Sequence, residues 1–196
     1  MTPAASDIVT VSDLKQFAFC PRIPYFSRVM PIRPPATELM ERGQRLEEEF
    51  RRLEVRRSLG RYGWDRATRH FSVYAMSESC GIAGRIDLAL ERDDAVAIVD
   101  VKASGGFVGD NHRMQAAAYQ VLAGEHFGKP CIGAFMYFLD RRCVERLEPD
   151  AAWNERLRRA IDTIRAMSTT HDFPPATAHR KACEQCEYRN FCGDVF

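Results

Sequence analysis

The sequence predicts an α/β fold in which helices flank a mixed β-sheet. Two apolar runs of strand length, 84–90 and 95–104, flank the polar turn 91–94 and therefore predict a β-hairpin. The preceding run, 71–76, alternates between apolar and polar residues and predicts a further antiparallel strand. The run 131–139 is almost entirely apolar, which is typical of a central strand covered on both faces.

Two helices are predicted before the sheet. Ser12 can cap a short helix over 13–19, which ends at Cys20 because a proline follows. A second, longer helix begins at Thr37 and must stop near Gly60. Its charged side chains surround an apolar stripe, so we expect it to lie half in water.

Two helices are also predicted on the C-terminal side. The first spans 110–123 and ends at Gly124. After the central strand, residues 142–147 are expected to pair back on it as another strand. Residues 153–167 then place apolar side chains at helical spacing and predict an amphipathic helix, which a cysteine-rich tail follows.

Composition limits the function classes. At 196 residues the chain can form one large domain or a domain with an appended module. The net charge is +1, so no global positive field attracts nucleic acid and any DNA contact must be local. The N-terminus does not resemble a secretory signal, and no apolar run reaches roughly eighteen residues. We therefore expect a cytoplasmic protein with no membrane partner.

The predicted hairpin carries two carboxylates, Asp87 and Asp100, in otherwise apolar strands. If both converge at one end of the sheet, they form a site for Mg²⁺ or Mn²⁺, with the carbonyl of Val101 as a third ligand. Lys102 points to the same face of its strand as Asp100 and can offset charge on a phosphate. The alternative is a sheet with one solvated face, on which the acids pair with Lys102 or Arg85.

Three of the seven cysteines lie close together in the tail as Cys183-X2-Cys186-X5-Cys192, and Cys20 lies far upstream. Three thiolates at this spacing, joined by a fourth from elsewhere, supply the ligands of either a structural zinc or a cubane cluster. The ligand type does not separate the two. The other cysteines occur singly in strand-like segments and are interpreted as core residues: Cys80, Cys131 and Cys143.

Gln115 and Tyr119 are four residues apart on one face of the helix predicted after the hairpin. They can reach a DNA phosphate or a metal-bound water, although a solvated helix face gives the same pattern. The five histidines show no ligand spacing among themselves. His112 is the one nearest this helical pair.

In combination, these motifs resemble the RecB-like branch of the PD-(D/E)XK nucleases. The resemblance rests on the order of Gly84-Arg-Ile-Asp87, Asp100-Val-Lys102 and Gln115-Ala-Ala-Ala-Tyr119. One cysteine near the N-terminus and three near the C-terminus make the chain similar to the CRISPR-associated iron–sulfur nuclease of that branch, the fourth numbered Cas family. The resemblance implies a single nuclease domain over 1–196 with a restriction-endonuclease-like core.

The resemblance also implies the site. Asp87, Asp100 and the Val101 carbonyl would bind Mn²⁺ or Mg²⁺, Lys102 would assist hydrolysis, and Gln115 and Tyr119 would complete the site. The family usually has a histidine ligand on the first long helix, and this sequence has none there. Glu47 is the expected substitute.

For the cysteines the resemblance implies a [4Fe-4S] cluster. Its ligands would be Cys20, Cys183, Cys186 and Cys192, in a module that joins 11–26 to 176–196.

The function that the resemblance implies is processing of the 3′ single-stranded overhangs of prespacers and selection of the protospacer-adjacent motif during CRISPR adaptation. The implied partners are DNA with single-stranded overhangs, the CRISPR integrase and its small dimeric partner. One alternative is a motif-reading DNA-end binding subunit with weak cleavage. Another is a recombination-repair exonuclease, and the absence of a Walker loop argues against a self-contained helicase-nuclease of that kind.

Overall fold

The computed structural model describes residues 8–34, 38–103 and 107–193, and these residues form a mixed six-stranded sheet with helices on both faces. The strands are β1 (Val9–Thr10), β2 (Thr68–Ser77), β3 (Ile82–Glu91), β4 (Val96–Lys102), β5 (Cys131–Phe138) and β6 (Cys143–Leu147). The helices are α1 (Val11–Phe19), α2 (Arg22–Arg28), α3 (Glu38–Glu54), α4 (Asp110–Phe127), α5 (Ala151–Thr170) and α6 (Arg189–Cys192). None of the described helices is long and apolar enough to cross a membrane.

The strand pairing confirms the predicted sheet. Strands β2, β3 and β4 are antiparallel neighbours, and β5 pairs in parallel with β4 after the crossover through α4. Strand β6 then pairs back antiparallel on β5, which leaves β5 between two neighbours, as the apolar run predicted. Strand β1 was not predicted, and it pairs in parallel with the start of β3.

Two hydrophobic cores lie on opposite faces of the sheet. The larger contains residues of α1, α4 and α5, whose most buried side chains include Leu14, Leu122 and Ile164. The smaller lies between the sheet and α3, where Phe50 packs against Tyr137. A third cluster joins Cys20 and α2 to the C-terminal tail. The buried positions of α5 follow the predicted helical periodicity, and so does Phe50 in α3, whereas Leu53 of the predicted apolar stripe is exposed.

Several predicted boundaries are wrong. Thr10 caps α1 instead of Ser12, because its hydroxyl accepts the Asp13 amide at 3.0 Å and the Asp13 carboxylate accepts the Thr10 amide in return. Helix α3 ends at Glu54, well before Gly60. The predicted start at Thr37 lies outside the described residues, as does Ser104 at the end of the predicted hairpin.

Helix α4 continues for one turn beyond the predicted end. Gly124 stays helical, and the left-handed residue that ends the helix is Gly128, with φ of 62°. Helix α2 was not predicted, because a proline precedes it and another lies inside its first turn, and together they obscure the helical pattern.

Strands β3 and β4 separate where the acidic residues lie. They pair only over 88–91 and 96–99, while β1 takes the same edge of β3 at 82–83. The unpaired stretch of that edge, 84–87, contains Asp87. Residues two apart in a regular strand point to the same face, but Ile86 belongs to the larger core and Leu88 to the smaller one. The alternation is therefore interrupted between them. Ser72 lies opposite this point in β2 and has a positive φ of 54°.

Gly84 allows α1, α4 and β3 to meet at this edge. A Cβ atom at Gly84 would lie 2.6 Å from Val11 Cγ2 and 3.1 Å from Tyr119 Cε1.

We therefore expect Gly84→Ala to lower the free energy of unfolding by about 1–3 kcal/mol through overpacking. Urea denaturation is the measurement. Gly60→Ala is the matched control, because its nearest neighbour is the Ser58 hydroxyl at 4.0 Å, and a loss of equal size in both variants would contradict the explanation.

Candidate active site

Asp87, Asp100 and Lys102 meet where β3 and β4 separate. Because no backbone ladder continues there, the Val101 amide donates instead to Asp87 Oδ2 at 2.8 Å. The Asp100 side chain is only 2% exposed, and its Oδ2 lies 2.5 Å from Lys102 Nζ. The structure thus brings together the two carboxylates and the lysine that the sequence placed on neighbouring strands. A fully solvated sheet face is excluded because Asp100 is buried.

Gln115 and Tyr119 reach the same place from α4. Lys102 Nζ donates to Gln115 Oε1 at 2.7 Å, and the Tyr119 hydroxyl donates to the Arg85 carbonyl at 2.8 Å. Both side chains are more than nine-tenths buried, so the alternative of a solvated helix face is wrong. Gln115 therefore orients the ammonium group of Lys102, and Tyr119 ties α4 to the unpaired edge of β3.

Glu47 approaches the acids from α3. It lines a cleft of about 300 Å³ together with Asp87 and Arg85, and its Oε1 lies 3.9 Å from Arg85 Nη2. Its negative charge is one of those that raise the pKa of Asp87. The structure therefore places Glu47 beside Asp87, and its role as a substitute for the family histidine stays a prediction.

The close approach of the carboxylates changes the pKa of Asp87. Burial is the largest cause and the charge of Asp100 the second, and together they raise this pKa to about 7. The Val101 amide and Lys102 oppose the shift. Burial, followed by the same two carboxylates, also raises the pKa of Tyr119, so its hydroxyl remains a hydrogen-bond donor. The raised pKa of Asp87 shows that a negative charge at this position is disfavoured without a positive charge close by.

Two further residues face this site: Lys15, which the motif search passed over, and His112, which the sequence singled out only for its position near Gln115 and Tyr119. Lys15 of α1 lies close enough to Lys102 and both acids for their charges to affect its pKa, which burial and Lys102 lower. Burial and the charges of Lys102 and Lys15 lower the pKa of His112 to about 4, so this imidazole is neutral at physiological pH. No spacing rule could find Lys15, because α1 is far from the hairpin in sequence.

The oxygen donors at this site suit a hard divalent cation. Asp100 Oδ2 is buried and, despite its contact with Lys102, has no hydrogen bond of good geometry among the described residues. Asp87 and Glu47 add carboxylate oxygens from two other elements. Within the described residues, however, no three His, Cys, Asp or Glu side chains already converge to hold one ion. Ion binding would therefore require these side chains to move closer together.

The four cysteines singled out by the sequence line one pocket. Cys20 at the end of α1 faces Cys183, Cys186 and Cys192 there, between apolar side chains of α2 and the tail. Arg22 Nη1 donates to Cys192 Sγ at 3.3 Å. Burial raises the pKa of the Cys186 thiol, and the other three cysteines add to the shift. The tail thus packs against the N-terminal helices through these residues.

The remaining cysteines confirm their interpretation as packing residues. Cys80, Cys131 and Cys143 are half-buried and pack separately against the larger core.

Asp87 makes the stability of the metal-free protein depend on pH. Its pKa is about 7 in the folded protein and 3.8 ordinarily, so between these values the folded chain retains a proton that the unfolded chain releases. The stabilisation is complete below the ordinary pKa and is lost as the pH rises through the folded-state pKa. Relative to Asp87→Asn, we expect the free energy of unfolding of the wild type in EDTA to fall from about pH 5 to about pH 8.

Urea denaturation across this pH range measures the difference. Asp162→Asn, an exposed change on α5, is the control and should show no such trend. A wild-type protein that gains stability relative to Asp87→Asn as the pH rises would contradict the shift.

The chain matches known nucleases along most of its length. The family model of the PD-(D/E)XK nuclease superfamily matches residues 40–193. A CRISPR-associated exonuclease Cas4 from Francisella tularensis subsp. novicida is 32% identical over 186 residues, which cover 95% of this chain and 94% of that protein. A CRISPR-associated exonuclease Cas4/endonuclease Cas1 fusion from Myxococcus xanthus is 23% identical, over 91% of this chain and 30% of the fusion.

The fold is also similar to that of a solved structure. A putative exonuclease from Eubacterium rectale superposes with a TM-score of 0.61 at 11% identity, over 95% of this chain and 88% of that one. The fold, the family model and the relative from Francisella agree with the motif order around the acids. The chain therefore belongs to the PD-(D/E)XK nuclease superfamily and, within it, to the CRISPR-associated exonuclease family Cas4.

Proposed function

We propose that this protein is a divalent-metal-dependent DNA nuclease that trims the 3′ single-stranded overhangs of prespacers and selects fragments carrying the protospacer-adjacent motif. The observation that carries the proposal is the buried cluster of Asp87, Asp100 and Lys102 at the separation of β3 and β4. Buried carboxylates beside a lysine are the arrangement that a metal-assisted phosphodiester hydrolysis needs. The similarity to Cas4 exonucleases supports the DNA substrate and the role in CRISPR adaptation.

In this proposal the carboxylates of Asp87 and Asp100, the carbonyl of Val101 and the carboxylate of Glu47 hold Mg²⁺ or Mn²⁺. When bound, the ion supplies an activated water and offsets charge on the phosphate. Lys102 presents its ammonium group to the phosphate from beside Asp100.

The helix residues serve this arrangement. Gln115 keeps Lys102 oriented through the 2.7 Å hydrogen bond, and Tyr119 holds the unpaired edge of β3 through the Arg85 carbonyl. Both act as positioning residues for the groups that would contact the phosphate.

Partner proteins would supply much of the grip on DNA. The net charge of +1 provides little non-specific attraction to phosphates. The relative from Myxococcus joins a Cas4 exonuclease and a Cas1 endonuclease in one chain, which supports an association of this protein with the CRISPR integrase. We extend the proposal to the small dimeric partner of the integrase.

A second candidate is a DNA-end binding subunit with weak cleavage. The observation in its favour is the ion pair between Glu47 and Arg85, which engages the carboxylate that would replace the family histidine. Cleavage assays in Mn²⁺ on the isolated chain, compared with the chain bound to the integrase, separate the two candidates. The nuclease cleaves alone, whereas the binding subunit cleaves weakly in both assays.

Asp100→Asn is the sharpest test of the nuclease. We expect it to reduce the cleavage of single-stranded overhangs by about a hundredfold or more, because the metal-binding charge is lost. The substitution preserves the shape of the side chain. Lys102→Ala is less informative, because it leaves a buried carboxylate unpaired at a cost of about 3–5 kcal/mol.

Asp162→Asn is again the control, and thermal denaturation checks that both variants are folded. Wild-type cleavage rates in folded Asp100→Asn would exclude this site as the nuclease centre.

For the cysteine pocket we propose a [4Fe-4S] cluster held by Cys20, Cys183, Cys186 and Cys192. The apolar lining and the hydrogen bond from Arg22 to the Cys192 sulfur suit a cluster, since such contacts surround thiolate ligands. In this proposal the cluster stabilises a module in which 11–26 and 176–196 are joined within a single nuclease domain, 1–196. Its four thiolates would add bonds through the cluster to the packing and hydrogen bonds that already hold the tail against α1 and α2.

An absorption spectrum of anaerobically purified protein tests the cluster. We expect broad absorbance in the blue, with its loss in Cys186→Ser because one ligand is removed. Cys143→Ser should retain the spectrum, since Cys143 lies in β6 and packs against the larger core. A colourless wild-type protein that contains stoichiometric zinc would refute the proposal.

A further inference from the structure

The acidic site opens into a groove with two arms. The first arm is the 300 Å³ cleft that Glu47 lines, and the second is an open cleft of about 690 Å³. Asp87 and Arg85 line both clefts, so the two arms meet at the acids. The second arm is lined by Thr10, Tyr74 and Tyr119 in addition. A chain molecule bound at Asp87 can therefore extend along the sheet into this second arm.

Tyr74 and Arg85 form a pair on the floor of the second arm. They lie directly opposite each other in the antiparallel register of β2 and β3, which puts both side chains on one face of the sheet. Their neighbours in the same strands, Ala75 and Gly84, pair on the opposite face, where Ala75 belongs to the larger core. The position of Tyr74 is thus determined by strand register and not by a flexible loop.

Both side chains are largely exposed to solvent, although they lie in two paired strands. Tyr74 is 67% exposed, and the side chain of Arg85 is 63% exposed. Among the described residues the Arg85 guanidinium forms an ion pair with Glu47, with Nη2 and Oε1 3.9 Å apart, and the side chain otherwise remains largely exposed to solvent. An exposed aromatic ring beside an exposed arginine contributes little to folding, because neither buries much surface.

Single-stranded nucleic acids bind to such pairs. A tyrosine ring stacks on a base of any identity, and a nearby arginine neutralises the adjoining phosphate. The arm is open, so an unpaired base can be laid on Tyr74 without entering a closed pocket. A double helix offers no unstacked base to this ring.

We propose that Tyr74 and Arg85 form a subsite for one unpaired nucleotide of the DNA strand whose phosphate lies at Asp87, with Tyr74 stacked on the base. This inference rests on the proposed nuclease function and adds how the site discriminates a single strand from a duplex. Specificity for overhangs is then built into β2 and β3 of this chain. It does not depend on a partner protein.

The test measures DNA binding by the Asp100→Asn protein, whose cleavage is expected to be slow, with a duplex that carries a 3′ single-stranded tail labelled for fluorescence anisotropy. We expect Tyr74→Ala to weaken binding of the tailed duplex about tenfold, the scale of one base–aromatic stack. Tyr74→Phe retains the ring and should retain the affinity. Arg85→Ala should also weaken binding, and Arg66→Ala, which removes an exposed arginine at the far end of the sheet, is its charge control and should bind like the parent.

A scan of abasic positions along the tail identifies the stacked base. In the parent, one abasic position should weaken binding about tenfold, and in Tyr74→Ala the same position should have no further effect. Parent-like affinity in Tyr74→Ala, or an abasic penalty that persists in that variant, would overturn the subsite. The proposed nuclease function itself would be overturned by a different result. In that case the wild type cuts neither blunt nor tailed duplexes, and the Asp100→Asn parent binds both with equal affinity.

Discussion

The ion pair between Asp100 and Lys102 is the interaction on which the site depends. Asp100 is almost completely buried, and an unpaired carboxylate there would cost several kcal/mol. Lys102 offsets that charge, and Gln115 of α4 orients Lys102 by a direct hydrogen bond. The second acid, Asp87, gains a backbone donor only because β3 and β4 stop pairing at this point. The acidic site and the separation of the strands therefore require each other.

The packing around the site is compatible with the separation of β3 from β4. Gly84 lets Val11 of α1 and Tyr119 of α4 contact β3 without a side chain between them. Opposite Asp87, Ser72 adopts a left-handed conformation that costs about 1 kcal/mol for a residue other than glycine. Local strain and an interrupted strand pattern thus coincide with the functional residues, as is usual where a sheet must expose polar groups.

Much of the fold was predictable because hydrophobic periodicity is a local property. The hairpin, the central strand β5 and the long helices follow from it directly. The predicted helix start was wrong where another side chain formed the capping hydrogen bond, and one helix was not predicted because prolines obscured its pattern. Thr10 competes with Ser12 as a cap through Asp13, and α2 begins just after a proline. The two-residue strand β1 is too short to have a periodicity, and only its pairing with β3 defines it.

The sequence by itself determined the class of the protein. The class follows from the order of the acidic, lysine and glutamine–tyrosine motifs and from the spacing of the cysteines. Both are properties of the covalent chain and do not depend on how it folds. Only the tertiary structure decided which atoms meet. Lys15 reaches the acids from α1, Glu47 reaches Asp87 from α3, and Tyr74 lies in the groove through the register of β2. These contacts join residues far apart in the chain, and their formation depends on packing and strand pairing, which local sequence patterns do not encode.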